Sequence, residues 1–544
     1  MAVPIVARDD LGQISLFYEQ FAHIEPVALV LVALFAVAAF ASTFGIPALS
    51  SDADRRLSET GDASRARSRL VLWTAVAFAF VVVLVGFFVV FEHFYLIDDE
   101  YSAWFQAVIF AAGKLHGAVP AEWCGWIGAL TPTSVTPHPS SCTWELSFLP
   151  LHSLYRSLFL IVHADWLAGP VTAALTIALV ASTARKLWPN RPERAWIAVV
   201  VLATSMQFLF MSMTMYSMPT HLLCSALWLW LYVDNRRWSI AALPFVGFIA
   251  LGVHSPIPHG LWIAAFLLRF VRDRRWGVAL YVGVGYALAL SFWAGHLEIA
   301  RSVSGSVAGM ASGSATVHAV RAPFGFPNAL ARMTTVMNLA LVATWNAPIA
   351  LLCVIVAALS WRSLDTTSRD LVLSLGVIVV ARAVSAPLQG GGWGYRSIYD
   401  GMSNIALLAA CGVDVMASSI GRRRALGLFA ASTAAAVIVQ LPLRARQVHA
   451  IVAPYARTYR WMTQLPAKVV LFDSEDAMWG SMLLRNDPFL RNSPVLALEY
   501  VFTPAGIQDL ERRYPGGVHV VTRAELLHLG LEAAPPRIGG SRLP

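Results

Sequence analysis

The sequence predicts an all-α polytopic membrane protein of about twelve transmembrane helices, with a small extracytoplasmic α/β domain at its C-terminus. Three observations lead to this prediction. Of the 544 residues, 57% are hydrophobic and only 13% are charged, whereas soluble proteins average about 25% charged residues. Apolar runs of membrane-spanning length recur along most of the chain, and after residue 441 they shorten and change pattern. A soluble fold cannot bury that much apolar surface.

Twelve apolar runs, separated by charged residues or by Pro and Gly, approach the 17–25 residues or so that cross a bilayer as a helix. They lie near 27–48, 70–91, 167–185, 196–213, 219–233, 239–254, 259–271, 276–295, 333–359, 370–388, 401–418 and 425–441.

The basic residues predict the orientation of these helices. Alternate connections carry 20 Lys and Arg residues, the opposite set up to residue 441 carries 8, and 12 follow residue 441. Because basic residues concentrate in cytoplasmic loops, the richer set is cytoplasmic and both termini lie outside. All 14 histidines then fall in outer loops, outer span ends or the C-terminal region. The net charge of +8 is therefore largely cytoplasmic anchoring in the inner (plasma) membrane, and no nucleic-acid partner is indicated.

Two outer segments are longer than connectors and define the domain organisation. A transmembrane domain covers 1–441 and includes the first outer loop, 92–166. The C-terminal domain covers 442–544, where "AKVVLFDSED" and "GGVHVVTRAELL" are typical of buried strands followed by loops or helix starts.

Three consecutive acids, Asp98, Asp99 and Glu100, open a predicted helix in the first outer loop. One apolar face of this helix predicts that it lies in the outer membrane interface; its members are Tyr101, Trp104, Phe105, Val108, Ile109, Ala112 and Leu115. Two hypotheses compete for the acids. In the first hypothesis the acids cap the helix, since acids satisfy the free N–H groups of a first turn. In the second, one of them acts as a general base toward a hydroxyl or amine.

The acidic pair after an early span, followed by an interfacial helix, resembles the first outer loop of the GT-C membrane glycosyltransferases. The similarity extends over roughly residues 70–300, through "LAGPVTAALTIALVASTARKLWP" and "RRWSIAALPFVGFIALGVHSPIPHG", and is greatest to the protein-O-mannosyltransferase and aminoarabinose-transferase groups. The resemblance implies a GT-C fold, a polyprenyl-phosphate sugar donor, and a catalytic base at Asp99 or Asp98 with Glu100 beside it.

The chain departs from the family pattern at two motifs. Where the family often has Lys-Pro or Arg-Pro after the sixth span, this chain has "HSPIPHG" with His254 and His259, and imidazole is a weaker phosphate ligand than Lys or Arg. A motif like the "WWDYG" of oligosaccharyltransferases is absent, which argues against transfer of a whole oligosaccharide.

Arginines and aromatic residues near outer span ends are candidates for binding the donor. Arg382 lies in an apolar stretch, where an ionisable side chain either faces a cavity or extends to the headgroups. The sequence "QGGGWGYRSIYDG" places Trp393, Tyr395 and Arg396 in a glycine-rich loop. Such a loop is either a plain turn or a phosphate site clamped by an arginine. Arg321, in "RAPFGFPNALARM", belongs to a lid, a lipid contact or a connector.

Cys124 and Cys142 lie 18 positions apart in the first outer loop. Outside the cytoplasm they are expected to form a disulfide, with two free thiols as the alternative. The outer histidines show no compact metal-ligand spacing, so no metal is assigned and no cofactor is expected, and motifs for nucleotide binding are absent.

These observations predict an integral membrane glycosyltransferase that moves a sugar from a polyprenyl phosphate to an extracytoplasmic glycan, lipid or protein acceptor with inversion. Asp99 would be the base, and Arg396, Arg382 and His254 would stabilise the leaving phosphate. A transporter or flippase for lipid-linked sugars is the rival, although transporters usually show repeat symmetry. A GT-C-shaped assembly protein without catalysis is the third hypothesis.

Overall fold

The computed structural model describes residues 25–44, 61–254, 256–303, 329–385 and 393–533. The helices follow one another along most of this length, and six short strands lie in two separate sheets. The helices are α1 Glu25–Phe44, α2 Gly61–Val89, α3 Asp98–Ala111, α4 Ile127–Leu130, α5 Leu151–Ile161, α6 Ala168–Leu187, α7 Pro192–Ala203, α8 Met206–Ser212, α9 Ser217–Asp234, α10 Arg237–Val253, α11 Pro256–Arg272, α12 Trp276–Val303, α13 Ala329–Thr344, α14 Ala350–Leu359, α15 Thr366–Ser385, α16 Met402–Ile420, α17 Arg422–Ala435, α18 Leu441–Gln464, α19 Pro504–Arg513 and α20 Arg523–His528. The strands are β1 Gly117–Ala118, β2 Val135–His138, β3 Thr143–Leu146, β4 Val469–Phe472, β5 Val495–Leu498 and β6 Val518–Val521.

Each of the twelve predicted spans overlaps a helix, and the chain is a multi-pass membrane protein. Within the described residues, six helices are long and apolar enough to cross a membrane, or seven if a bent pair forms one span. That pair is α7 and α8, which meet at 59°. The first helix ends at Ala203, and Ser205 caps the second by accepting a hydrogen bond from the Phe208 N–H at 3.1 Å. The count of twelve spans stays a prediction.

The connections richest in arginine and lysine meet at one end of the helical bundle, which we call the basic end. Lys186 and Asp234, from successive connections, lie 2.5 Å apart, and Arg194 lies 2.6 Å from Asp414. Trp188 donates a hydrogen bond to Asp365 at 2.9 Å. The alternation expected from the basic residues is thus present in the fold.

The first outer loop carries a small antiparallel sheet with strand order β1-β3-β2. Its Trp144 is fully buried against Phe105 of α3, with ring centroids 5.3 Å apart. Cys124 and Cys142 are joined by a disulfide, which closes a loop that contains α4 and β2. The loop is therefore ordered, and its hydrophobic packing is shared with the C-terminal strands β4 and β5.

The C-terminal residues 465–533, here called the C-terminal segment, form a parallel sheet with strand order β5-β4-β6 and two short helices. The two predicted strands are confirmed as β4 and β6. The predicted boundary at residue 442 falls inside a continuous helical stretch, because a π-helical turn, Ala436–Gln440, joins α17 to α18. The sheet begins only after that helix ends at Gln464.

A buried ion pair ties the first described helix to α18. The Arg444 guanidinium contacts both carboxylate oxygens of Glu25, at 2.7 and 2.9 Å, and lies 4.5 Å from the centroid of the Trp345 ring. Both charged residues are at most 1% exposed. Because an unpaired charge there would be costly, this pair fixes how the two helices pack.

Candidate active site

The three consecutive acids occupy the first turn of α3, and their environments differ. The side chain of Asp99 is 39% exposed, whereas Asp98 is 9% and Glu100 0% exposed. The N-cap position of α3 is Ile97, and no side chain caps the helix. The acids therefore do not act as the N-cap, although their charges still suit the helix dipole.

Asp99 faces a cation that is distant in sequence. Its Oδ2 lies 3.5 Å from Nη1 of Arg396, and the Arg396 guanidinium lies 5.2 Å from the centroid of the Tyr216 ring. The Arg396 side chain is 19% exposed. An exposed carboxylate thus lies beside a mostly buried guanidinium.

Glu100 is buried with an incomplete set of partners. Its Oε2 accepts a hydrogen bond from the Met215 N–H at 3.4 Å, and its Oε1 has no partner. Burial raises the pKa of Glu100 to about 8, against the smaller opposing effects of the Met215 N–H, Arg485 and Arg396. Glu100 is therefore mostly protonated at neutral pH.

Asp98 lies on the side of α3 that faces the C-terminal segment. Burial raises the pKa of this carboxyl, while hydrogen bonds from Thr133 and Ser481 and the charge of Arg485 act in the opposite direction. Of the three acids, Asp99 is the one exposed enough to meet a substrate as a carboxylate.

Arg396 opens a 3₁₀ turn, Arg396–Gly401, just before α16. The Arg382 Nε donates a hydrogen bond to the carbonyl of Ser397 at 3.2 Å, and Asp400 lies 2.5 Å from Nδ1 of the buried His221. Gly394 precedes the turn with φ +83°, and a side chain there would also clash with Gln207. These contacts hold the turn so that Arg396 faces Asp99.

The two histidines predicted to replace the family's basic residue lie behind this turn. His254 contacts the Ser217 hydroxyl at 2.8 Å. The centroids of the His221 and His254 rings lie 5.8 Å apart. His259 is fully buried and contacts the Tyr286 hydroxyl at 2.9 Å. The structure groups these imidazoles around His221 and Asp400 rather than beside Asp99.

The aromatic residues of the glycine-rich loop are placed differently from the prediction. Trp393 and Tyr395 are 3% and 1% exposed, and the Trp393 ring packs edge-on against Phe91 at 5.6 Å. The carbonyl of Tyr395 accepts a hydrogen bond from Gln207 at 2.7 Å. Their side chains fill the core below the loop, so they do not form a surface for stacking on a substrate. Arg321 lies outside the described residues.

The interfacial role predicted for α3 also requires correction. Tyr101, Phe105 and Ile109 are buried in one cluster with Leu471 of β4, so the apolar face of α3 packs inside the protein. Leu115, just beyond the end of α3, is the large side chain of the predicted face that stays exposed, at 71%, and α5 exposes Leu154, Leu158 and Ile161 at 47–58%. Its opposite face buries polar residues, among them Arg156.

Sequence reasoning missed several residues that surround the acids. Tyr216 lies under Arg396, and Met215 supplies a backbone N–H to Glu100. Arg485, from the C-terminal segment, is 4% exposed and acts on both Asp98 and Glu100. The only sequence signal for Arg485 was its position in the apolar stretch "SMLLRND".

The described ranges contain no group of three or more His, Cys, Asp or Glu side chains arranged to hold a metal ion. Two histidines, His116 and His138, share the carboxylate of Glu145 at 2.8 and 3.4 Å. This cluster belongs to the sheet of the first loop.

Comparison with known structures defines the fold. The crystal structure of ArnT from Cupriavidus metallidurans bound to undecaprenyl phosphate matches with a TM-score of 0.51 and 12% identity, over 82% of this chain and 89% of that one. ArnT is an aminoarabinose transferase with a GT-C fold. The chain has the GT-C fold.

Weaker similarities accompany this one. ArnT from the same organism in the apo state matches with a TM-score of 0.49 and 12% identity, over 84% and 90% of the two chains. The Archaeoglobus fulgidus oligosaccharyltransferase matches with a TM-score of 0.42 and 10% identity, over 80% of this chain and 64% of that one. No protein-family model and no curated protein sequence matches the chain.

Within this GT-C fold, the candidate site joins segments that are distant in sequence. Asp99 and Arg396 are 297 positions apart. One comes from the loop after α2 and the other from the turn before α16. The fold, rather than any local motif, brings Asp99 and the turn that carries Arg396 together.

Proposed function

We propose that the chain is a glycosyltransferase that moves a sugar from a polyprenyl phosphate to an acceptor outside the cytoplasm. The observation that carries the proposal is the pairing of Asp99 with Arg396 at 3.5 Å. A carboxylate that accepts a proton and a guanidinium that binds a phosphate are the two groups such a transfer needs.

The proposed step is a displacement at the anomeric carbon. Asp99 takes the proton of an acceptor hydroxyl or amine, and the acceptor atom forms a bond to that carbon. The bond between the carbon and the lipid phosphate oxygen breaks, so the configuration inverts. The phosphate leaves as an anion, and Arg396 stabilises the developing charge. Side chains and the two substrates account for every atom of this step.

The environments of the acids support Asp99 as the base. Glu100 has a pKa of about 8, so at neutral pH it holds a proton and cannot accept another. Asp98 is nearly buried and faces the C-terminal segment. Asp99 alone combines exposure with a phosphate-binding partner. In this scheme Arg382 supports the turn that carries Arg396.

The donor and the compartment rest on different support. ArnT, whose fold this chain shares, was crystallised with undecaprenyl phosphate, and this supports a polyprenyl-linked donor here. The asymmetry of basic residues supports a site on the outer face of the inner membrane. Acceptors of three kinds (glycan, lipid or protein) are compatible with a deprotonated hydroxyl or amine.

The test uses the purified chain in lipid nanodiscs with radiolabelled polyprenyl-phosphate sugars and an envelope extract as the acceptor source. We expect label to move into acceptor material while free polyprenyl phosphate accumulates in equal amount. Absence of both transfer and donor binding across the common polyprenyl-phosphate sugars would contradict the proposal and favour a transporter or an assembly protein.

A further inference from the structure

The C-terminal segment contacts the backbone that leads into the acidic turn of α3. Its residues Arg485 to Pro488 lie between the segment 94–101 and the sheet of the first loop. The Tyr101 hydroxyl donates a hydrogen bond to the Asn486 carbonyl, and the Trp144 indole donates one to the Pro488 carbonyl at 2.7 Å. Residues more than 340 positions apart in sequence thus meet directly below the acids.

Arg485 makes the most extensive of these contacts. Its guanidinium donates hydrogen bonds to the carbonyls of Tyr95 and Leu96, and its Nε donates to the Met482 carbonyl at 2.6 Å. It also lies 3.9 Å from the centroid of the Phe94 ring and 4.9 Å from that of Tyr101. One rigid planar group therefore fixes the backbone immediately before the acids and the first aromatic residue after them.

Among the residues that the structure describes, no carboxylate forms an ion pair with Arg485. Its bonds go to carbonyl oxygens, and the nearby acids are Asp98 and Glu100, whose pKa values it lowers against the effect of burial. On the other side of the turn, Arg396 contacts Asp99. The acidic turn consequently lies between two arginines, one from the turn before α16 and one from the C-terminal segment.

We propose that the C-terminal segment is part of the catalytic unit, with Arg485 as a positioning residue that holds the turn Asp98–Glu100 in place. This inference rests on the proposed glycosyl transfer, because it assigns Arg485 an effect on Asp99, the base. The segment would then act on the reaction without touching substrate.

The physical argument is geometric. A base must lie within hydrogen-bond distance of the proton it removes, and a displacement of 1 Å can lower a rate about 100-fold. The turn begins two residues after Leu96, whose carbonyl Arg485 binds, so loss of that bond changes the position of Asp99 directly. Lysine retains the charge but lacks the planar fork that reaches several carbonyls.

The test compares Arg485→Met, Arg485→Lys and the control Arg512→Met in the full chain in nanodiscs. Arg512 lies in the same segment, is 77% exposed and contacts only Asp509 among the ion pairs described, at 3.5 Å. We expect kcat to fall about 10- to 100-fold in Arg485→Met, with donor KM nearly unchanged and Arg485→Lys intermediate. Arg512→Met should stay within about twofold of the wild type.

A second measurement does not depend on activity. pH-difference infrared spectroscopy follows protonation of the buried carboxyl, assigned with Glu100→Gln. The other groups near Glu100 are Asp99, Arg396, Tyr95, Tyr216 and the Met215 N–H, and all of them remain in Arg485→Met. Loss of the Arg485 charge should therefore move the titration of Glu100 to higher pH.

The outcomes separate the two proposals. A wild-type chain that transfers no sugar refutes the proposed function. The infrared titration would still show whether the Arg485 charge acts on Glu100. A purely stabilising Arg485 would lower the melting temperature but leave kcat per folded molecule and KM unchanged, which would overturn the inference. If Arg485→Met does not fold, the kcat values of Arg485→Lys and Tyr101→Phe test the inference instead. Wild-type kcat in both of these variants would overturn the inference.

Discussion

Replacing Glu100 by Gln separates the roles of adjacent carboxyl groups. The burial of Glu100 and its pKa of about 8 mean that about nine in ten of these side chains are protonated at pH 7. Gln has nearly the shape of the protonated acid, and its amide oxygen can still accept the Met215 N–H. We therefore expect Glu100→Gln to keep activity within about threefold of the wild type at pH 7, because a proton-bearing Glu100 is not the base.

The size and sign of the pH effect follow from the same environment. The pKa of Glu100 is raised from 4.5 to about 8, and each unit corresponds to about 1.4 kcal/mol. The folded protein favours the protonated form of Glu100. The stability that this protonated side chain contributes is fully present below pH 4.5 and is lost progressively as the pH rises to about 8. The loss is about 3 kcal/mol at pH 7 and about 5 kcal/mol above pH 8, as an upper limit.

The assay measures melting temperature and turnover from pH 5 to 9 for the wild type, Glu100→Gln and the control Glu122→Gln. Glu122 is an exposed acid in the same loop. The wild type and the control should lose stability toward pH 8, and Glu100→Gln should lose less. If the melting temperature of Glu100→Gln falls with pH as steeply as that of the wild type, Glu100 is not protonated at neutral pH. An inactive Glu100→Gln at pH 7 would refute a protonated Glu100 as well.

Two further predictions concern the phosphate and the disulfide. Arg396→Ala and Arg382→Ala should each weaken use of the donor by about 2–5 kcal/mol, measured as kcat/KM for the polyprenyl-phosphate sugar. Normal kinetics in both variants would show that these arginines have only a structural role. Cys124→Ser should lower stability by about 3 kcal/mol in the chain-entropy model for a loop of this length, measured by thermal unfolding of the purified protein. Non-reducing peptide mapping should find Cys124 linked to Cys142, and two free thiols in oxidised material would contradict the disulfide.

The helices could be predicted from the sequence because a membrane imposes length and composition on each span. The predicted run 333–359 illustrates the limit of that argument. It contains no charged residue, but the structure divides it between α13 and α14, on either side of "WNAP". Apolar length alone does not show where a helix breaks, since the break depends on what packs around it.

The acids could also be predicted, because three consecutive carboxyl groups before an apolar helix are a local pattern. Their partners could not be predicted in the same way. Arg485 and Tyr216 are identified only by contacts across the fold, and Tyr101 reaches Asn486 over 385 positions. Such pairings depend on how the C-terminal segment docks, which leaves no periodicity in the sequence.

Trp393 and Tyr395 show the converse error. Aromatic residues beside glycines and an arginine favoured a ligand-binding loop, but their rings are buried in the core. The same loop does supply Arg396 to the site. The local pattern could not show that these rings are buried, because burial depends on packing across the fold, such as that of Trp393 against Phe91.

The measurement that tests the central claim most directly is the turnover of Asp99→Asn beside Asp98→Asn, with donor binding measured in parallel. Asn has almost the shape of Asp, and α3 has no side-chain cap to lose, so both variants should fold and bind donor. If Asp99 is the base, Asp99→Asn should lose about 10²–10⁴-fold in turnover, since Asn cannot accept the proton, and Asp98→Asn should be affected less. Wild-type turnover in both variants would contradict the proposed catalytic role of the acidic turn.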